Sequence, residues 1–149
     1  MKLVVVTGCL GLIGSYVTRE CLSKGWKVYG VDKCTYAANQ EFLQEFLNNN
    51  NFSFIRGDIS KLKYLPDCDY VINVAAESHV GNSIIDSSDF IQTNFSTDEV
   101  YGDIESGSHC ENDILKPSNP YSASKAAADM LVLAWARTYN VKYVILRPT

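Results

Sequence analysis

Apolar positions along this chain change period several times, and each change marks an element. Leu3 to Val6 is a short, mostly β-branched run, as a strand buried on both faces needs. Thr7-Gly8-Cys9-Leu10-Gly11-Leu12-Ile13-Gly14 then breaks the run, and apolar residues recur at 12, 13, 16, 17, 21 and 22, the spacing of an amphipathic helix. Gly25 stops that helix, and Trp26 to Val31 predicts a second strand ending on Asp32. Strand, glycine turn, helix and strand make one βαβ unit. Glu41 to Leu47 predicts a helix, the asparagines 48 to 51 a loop, and Phe52 to Ile55 a third strand running into Arg56-Gly57-Asp58-Ile59. Tyr70 to Val74 is a fourth strand, hydrophobic throughout and so expected to be buried on both faces. Asp89 to Phe95 has mixed spacing, as at the start of a helix, and Gly102 to Ser118 is polar and loop-like. Asn119 and Pro120 signal a helix start, and the helix predicted over Tyr121 to Tyr139 is apolar on nearly every side. Such a helix is expected to be buried, at a subunit interface. Lys142 to Leu146 reads as a last strand, closed by Arg147-Pro148.

Composition narrows the classes. With 149 residues, 46% hydrophobic and 20% charged, the chain can bury a real core and is not a disordered tail. The net charge is -4 with no basic run, so no nucleic-acid partner is expected and an anionic ligand must be held by local dipoles. Five cysteines, at 9, 21, 34, 68 and 110, are odd in number and widely spaced. They fit reduced thiols in a cytoplasmic protein, with neither a disulfide framework nor a metal site. No apolar run approaches the length of a membrane span, and Leu3 to Val6 is too short for a signal-peptide core.

The candidate chemistry sits where periods change. Glycines 8, 11 and 14 would make a tight turn, let backbone approach a pyrophosphate, and let helix pack on strand, with the anion on the helix start at Gly11-Leu12-Ile13-Gly14. Asp32, 18 residues past Gly14, would accept hydrogen bonds from an adenosine ribose and repel a 2'-phosphate, favouring NAD over NADP; Lys33 next to it works the other way. The plainer alternative is that the glycines only turn a strand into a helix. Asp58, with Ile59 beside it, is either an adenine contact or a cap for the next turn. Ala75 and Ala76 are small enough for a cofactor to lie against the strand end. Ser78 and His79 are substrate-pocket candidates, although a lone loop histidine is ordinary. Asp98 and Glu99 are an acidic turn or an acid and base aimed at different atoms of one substrate. Tyr121 and Lys125, four apart on a helix, share a face, so the ammonium would favour the phenolate and make Tyr121 a general base. A packing contact and a solvated charge are the alternative.

Together Thr7-Gly8-x-x-Gly11-x-x-Gly14, Asp32, Ala75-Ala76-Glu77-Ser78-His79, Ser96-Thr97-Asp98-Glu99-Val100-Tyr101-Gly102 and Tyr121-x-x-x-Lys125 resemble the extended short-chain dehydrogenase/reductases. Within them they resemble the nucleotide-sugar 4,6-dehydratases, the dTDP-glucose 4,6-dehydratase group. The resemblance implies an α/β fold, a Rossmann-type doubly wound parallel sheet, with NAD as cofactor, a nucleotide-diphosphate sugar as substrate, and a homodimer through the Tyr121 to Tyr139 helix. It implies that Tyr121, supported by Thr97 and Lys125, takes the proton of the sugar 4-hydroxyl while NAD accepts the C4 hydride. Glu99 would remove the C5 proton, Asp98 would protonate the departing C6 hydroxyl, and the hydride would return to C6. The Asp98-Glu99 pair disfavours the related 4-epimerases and decarboxylases, and the assembled acid, base and activator disfavour a non-catalytic NAD-binding module. Gly81-Asn82 departs from the Asp-Arg pair often found after His-Val, which leaves the sugar open. The chain is expected to be an N-terminal NAD-binding portion, without the substrate-binding half. At Phe95-Ser96 the helix and strand that the resemblance implies are missing, either by a natural deletion or because two segments are joined across omitted residues; the second is expected, so no ordinary peptide bond should lie there and the two Cα atoms should be beyond the ~3.8 Å of a trans linkage.

Overall fold

A computed structural model of the chain describes residues 1–62, 64–75, 96–140 and 142–147. It divides into two compact units, Met1–Ala76 and Glu77–Thr149.

The first unit is a parallel sheet with helices between its strands. β1 (Leu3–Thr7), α1 (Leu12–Ser23), β2 (Lys27–Asp32), α2 (Gln40–Leu47), β3 (Phe52–Arg56), a 3₁₀ turn at Ile59–Lys61 and β4 (Tyr70–Asn73) follow in order. The strands lie in the order β3-β2-β1-β4, with Val5 opposite Tyr29 and Val71, and Gly30 opposite Phe54. This is one half of the doubly wound arrangement. Val4, Val5 and Val6 are fully buried at its centre, and Val4, Val6, Leu10, Val28, Phe46 and Phe52 form the core.

Two expectations for this unit need correction. α1 turns Gly14, Ser15, Thr18 and Cys21 inward, while Leu12 and Tyr16 are 73% and 64% exposed. Val17 and Leu22 pack against the core as expected, but the helix starts so close over the glycine turn that only small side chains fit beneath its first turns. β4 is not buried on both faces: Tyr70 and Val71 are exposed and the strand pairs with β1 alone. A parallel strand is buried when helices cover both faces and strands both edges, and among the described residues β4 is paired on one edge alone.

The second unit contains a 3₁₀ turn at Asp98–Tyr101 and α3 (Pro120–Tyr139). α3 buries Ser122, Lys125, Ala126 and Asp129, one face at helical spacing. Its cap is Asn140 in the left-handed region, φ 54°, a common helix stop. The expected burial holds only for its first half, since Leu131 and Trp135 are each 61% exposed. The strand expected over 142–146 is not formed, because a strand requires a ladder partner.

Candidate functional site

In the first unit the site is the turn between β1 and α1. Gly8 takes φ +66° and donates its N–H to the Val31 carbonyl at 2.7 Å. A Cβ on Gly8 would meet the Ala75 backbone at 2.8 Å, and a Cβ on Gly14 would meet the Gly8 oxygen at 1.9 Å. Three backbone segments therefore cross where side chains would not fit. Thr7 ties the ends of β1 and β4: its hydroxyl bonds Asn73 and accepts from the N–H groups of Val74 and Ala75 at 3.2 and 3.3 Å. Gly11 caps α1 with no side-chain hydrogen bond, so the first-turn donors and the positive helix end face outward, as an anion site requires.

Asp32 closes the other side of this turn. Its Oδ2 accepts from the Leu10 N–H at 3.1 Å and its Oδ1 from the Cys34 N–H at 2.7 Å. Each carboxylate oxygen has a second lone pair, so a ribose hydroxyl has an acceptor there. Cys9 packs beneath, against Gly30, and burial followed by the Asp32 charge pushes its thiol well above the usual range. Asp58 caps the next turn, accepting from the Ser60 N–H and hydroxyl at 3.0 and 2.7 Å; these bonds hold its carboxyl below the ordinary range. Ile59 begins the turn that Asp58 caps. Ala75 lies against Gly8, whereas Ala76, Glu77, Ser78 and His79 fall outside the described residues.

In the second unit the Asp98–Tyr101 turn buries Val100 and Tyr101, leaving Asp98 half-buried and Glu99 exposed. Thr97 starts the turn, accepting from the Glu99 N–H at 3.4 Å and donating to Asp98 Oδ1 at 3.2 Å. Tyr121, in the first turn of α3, is half-buried. Lys125 is fully buried, with its Nζ 5.1 Å from the Tyr121 ring centre. Burial first, then the charges of Glu99 and Asp98, push the Tyr121 phenol above its ordinary range. The lowering expected from Lys125 is thus outweighed, and the same interaction puts both carboxylates within electrostatic reach of the phenol. Among the described residues no cluster of metal-ligating side chains occurs, all five cysteines are free, and no helix is long and apolar enough to cross a membrane.

The family model for GDP-mannose 4,6 dehydratase matches residues 5–95 and 93–148. The chain belongs to the GDP-mannose 4,6-dehydratase family. A dTDP-glucose 4,6-dehydratase of Haemophilus influenzae is 38% identical over 186 aligned positions, covering 97% of this chain and 54% of that protein. The crystal structure of the dTDP-glucose 4,6-dehydratase DesIV from Streptomyces venezuelae, with NAD bound, aligns with a TM-score of 0.85 at 35% identity, over 95% of this chain and 53% of that one. A UDP-N-acetylglucosamine 4-epimerase from Methanobrevibacter ruminantium aligns with a TM-score of 0.88 at 28% identity, over 98% and 54%. The chain spans about half the length of these relatives. The expected short-chain dehydrogenase/reductase of the nucleotide-sugar dehydratase type is borne out.

Several residues of this dehydratase-family chain carry geometry that sequence reasoning passed over. Thr7 and Asp32 latch the glycine turn. Arg147 donates from Nε to Asp129 Oδ2 at 2.8 Å and from Nη1 to the Tyr101 hydroxyl at 2.5 Å, fastening α3 to the acidic turn from behind. Asp129 follows Lys125 by four residues on a helix, so an acid on the buried face was the available signal.

Proposed function

We propose that this chain is the cofactor-binding and catalytic portion of an NAD-dependent nucleotide-sugar 4,6-dehydratase. The observation that carries the reading is the acidic pair Asp98-Glu99 lying beside the start of the Tyr121 helix, where the Asn119 side-chain amide donates to Glu99 Oε2 at 3.4 Å. The glycine turn fits a dinucleotide: a Cβ at Gly11 would meet only the Gly8 oxygen, at 3.4 Å, so its outer side stays open to a pyrophosphate. Gly8, Gly11, Leu12, Ile13 and Gly14 would hold that group, Asp32 the ribose, and Asp58, Ile59, Ala75 and Ala76 would complete the cofactor contacts with Tyr121 and Lys125. NAD would supply a reversible hydride acceptor.

The chain's own residues would move the protons. Tyr121 takes the proton of the sugar 4-hydroxyl, with Thr97 and Lys125 in support. Once C4 is a ketone the C5 proton is acidic; Glu99, exposed and free to reach substrate, removes it. Asp98 delivers a proton to the departing C6 hydroxyl. Ser78 and His79 are assigned to the sugar pocket. The family's 4-epimerases share this fold but have no use for a C5 base and a C6 acid.

We also infer that the chain lacks a helix and strand between Phe95 and Ser96, and that activity needs the substrate-binding half its relatives carry. Phe95 lies outside the described residues, while the division of the family match at 93–95 supports the inference. The exposed second half of α3 supports a homodimer through the Tyr121 to Tyr139 helix, and the five free cysteines support a cytoplasmic setting. The test of function is product analysis in deuterated water: a dehydratase yields a 4-keto-6-deoxy sugar with deuterium at C5. A C4 epimer without deuterium would sink the dehydratase assignment.

A further inference from the structure

Asn119 has two jobs at once. Its Oδ1 accepts the Ser122 N–H at 2.9 Å, while its own N–H donates to the Ser122 hydroxyl at 3.3 Å, a capping box that starts α3. Because the Ser122 N–H requires an oxygen opposite it, the other amide atom is the nitrogen. That nitrogen donates to Glu99 Oε2 at 3.4 Å.

Asparagine is the cap residue whose side chain carries an acceptor and two separate donors. Serine or aspartate would start the helix equally well, but aspartate has no donor and serine has one oxygen for both tasks. The acidic turn is otherwise held from its far side, by the Lys116 N–H on the Val100 carbonyl at 3.0 Å and by Arg147 on Tyr101. Those contacts fix its backbone and leave the exposed Glu99 side chain unaimed. We infer that Asn119 is a positioning residue for the C5 proton-abstraction step, aiming the Glu99 carboxylate from the helix end that carries Tyr121. This rests on the dehydratase reading above.

The experiment compares Asn119→Ser and Asn119→Asp with the parent in the full-length enzyme, measuring thermal stability, the single-turnover rate of C4 oxidation and the rate of C5 deuterium exchange. Both variants keep a helix cap, so stability should hold and C4 oxidation should stay within about twofold. C5 exchange should fall about tenfold in Asn119→Ser, the size of one exposed hydrogen bond to a charged group. It should fall further in Asn119→Asp, where a carboxylate faces Glu99. Unchanged C5 exchange in both variants would overturn the inference, and so would equal losses of oxidation and exchange. A parent enzyme that shows no C5 exchange would instead overturn the dehydratase reading itself.

Discussion

The contact between Gly14 and Gly8 sets a measurable limit on the cofactor turn. A Cβ added at Gly14 would lie 1.9 Å from the Gly8 oxygen, 2.7 Å from its carbonyl carbon and 3.1 Å from Cys9 Cα. The Gly8 carbonyl would have to retreat by more than 1 Å to reach even 3.0 Å. It has nowhere to go: Gly8 is pinned by its N–H on Val31 and backed by the Ala75 backbone, and its oxygen accepts the Gly11 N–H at 3.1 Å. Overpacking of this kind costs about 1–3 kcal/mol, and the loss of one backbone hydrogen bond about 1 kcal/mol more. Gly14→Ala should therefore lose about 2–4 kcal/mol of stability. Two companions calibrate the figure. Gly25 has φ +71° and open space around it, so Gly25→Ala should cost about 1 kcal/mol from backbone conformation alone. Gly11→Ala, with φ -75° and one neighbour at 3.4 Å, should stay within about 0.5 kcal/mol yet weaken NAD binding by tenfold or more. Urea denaturation with a constant m-value reads the stabilities, and calorimetric titration reads NAD. A Gly14→Ala midpoint equal to the parent's would refute the close approach. Full NAD affinity in Gly11→Ala would refute the pyrophosphate seat.

Asp32→Ala should narrow the preference for NAD over NADP and weaken both, because the Leu10 and Cys34 N–H groups lose their acceptor; an unchanged ratio of the two dissociation constants would show that Asp32 is not the ribose ligand. Glu99→Gln should lose C5 exchange by about 10²- to 10⁴-fold while keeping C4 oxidation, and Tyr121→Phe should lose oxidation itself. Since Glu99 raises the Tyr121 phenol, the pH profile of C4 oxidation in Glu99→Gln should move to lower pH, and a shift to higher pH would contradict the geometry. Brief treatment of the native protein with a thiol reagent, followed by peptide mass mapping, should label the exposed Cys110 and spare the buried Cys9 and Cys21, whose thiols burial pushes up; rapid labelling of Cys9 would mean that the glycine turn opens.

The sheet was legible because its signals are local. β-branched runs and a glycine triplet at fixed spacing give strand, turn and helix with bounds good to a residue or so, and the observed β2 at Lys27–Asp32 and α2 at Gln40–Leu47 lie close to the expected segments. The inward face of α1 was not legible. Hydropathy assigns the inward face to 12, 13, 16, 17, 21 and 22; Val17, Cys21 and Leu22 do pack on the core, but the Gly8–Gly14 approach puts Ser15 and Thr18 inward in place of Leu12, Ile13 and Tyr16, and that approach is a three-dimensional fact. Tyr121 and Lys125 were legible as a pair, whereas the direction of the Tyr121 shift was not, because burial and the charge of Glu99, 22 residues earlier, outweigh the neighbour four residues on. Asn119 was read as a cap, and its second donor became visible only when the acidic turn lay beside it.

The remaining departures share one physical cause. Among the described residues β4 has a partner on one edge only. Tyr143-Val144-Ile145-Leu146 keeps the composition of a buried strand, yet it forms no ladder and leaves Val144 83% and Leu146 66% exposed. The second half of α3 exposes Leu131 and Trp135. Each could be given a local explanation, but a strand is made by its neighbour, and successive parallel strands need a crossover of a dozen or more residues between them. We infer that such a crossover is missing between Phe95 and Ser96. An alignment of 186 positions that takes in 97% of these 149 residues leaves about 41 positions of the relative without a counterpart, enough for one helix and one strand. A single such unit would supply the crossover that a further parallel neighbour of β4 requires. On the proposed reading, one missing helix-and-strand unit would leave β4 without a second neighbour among the described residues and the Thr97-Asp98-Glu99 turn without a strand before it.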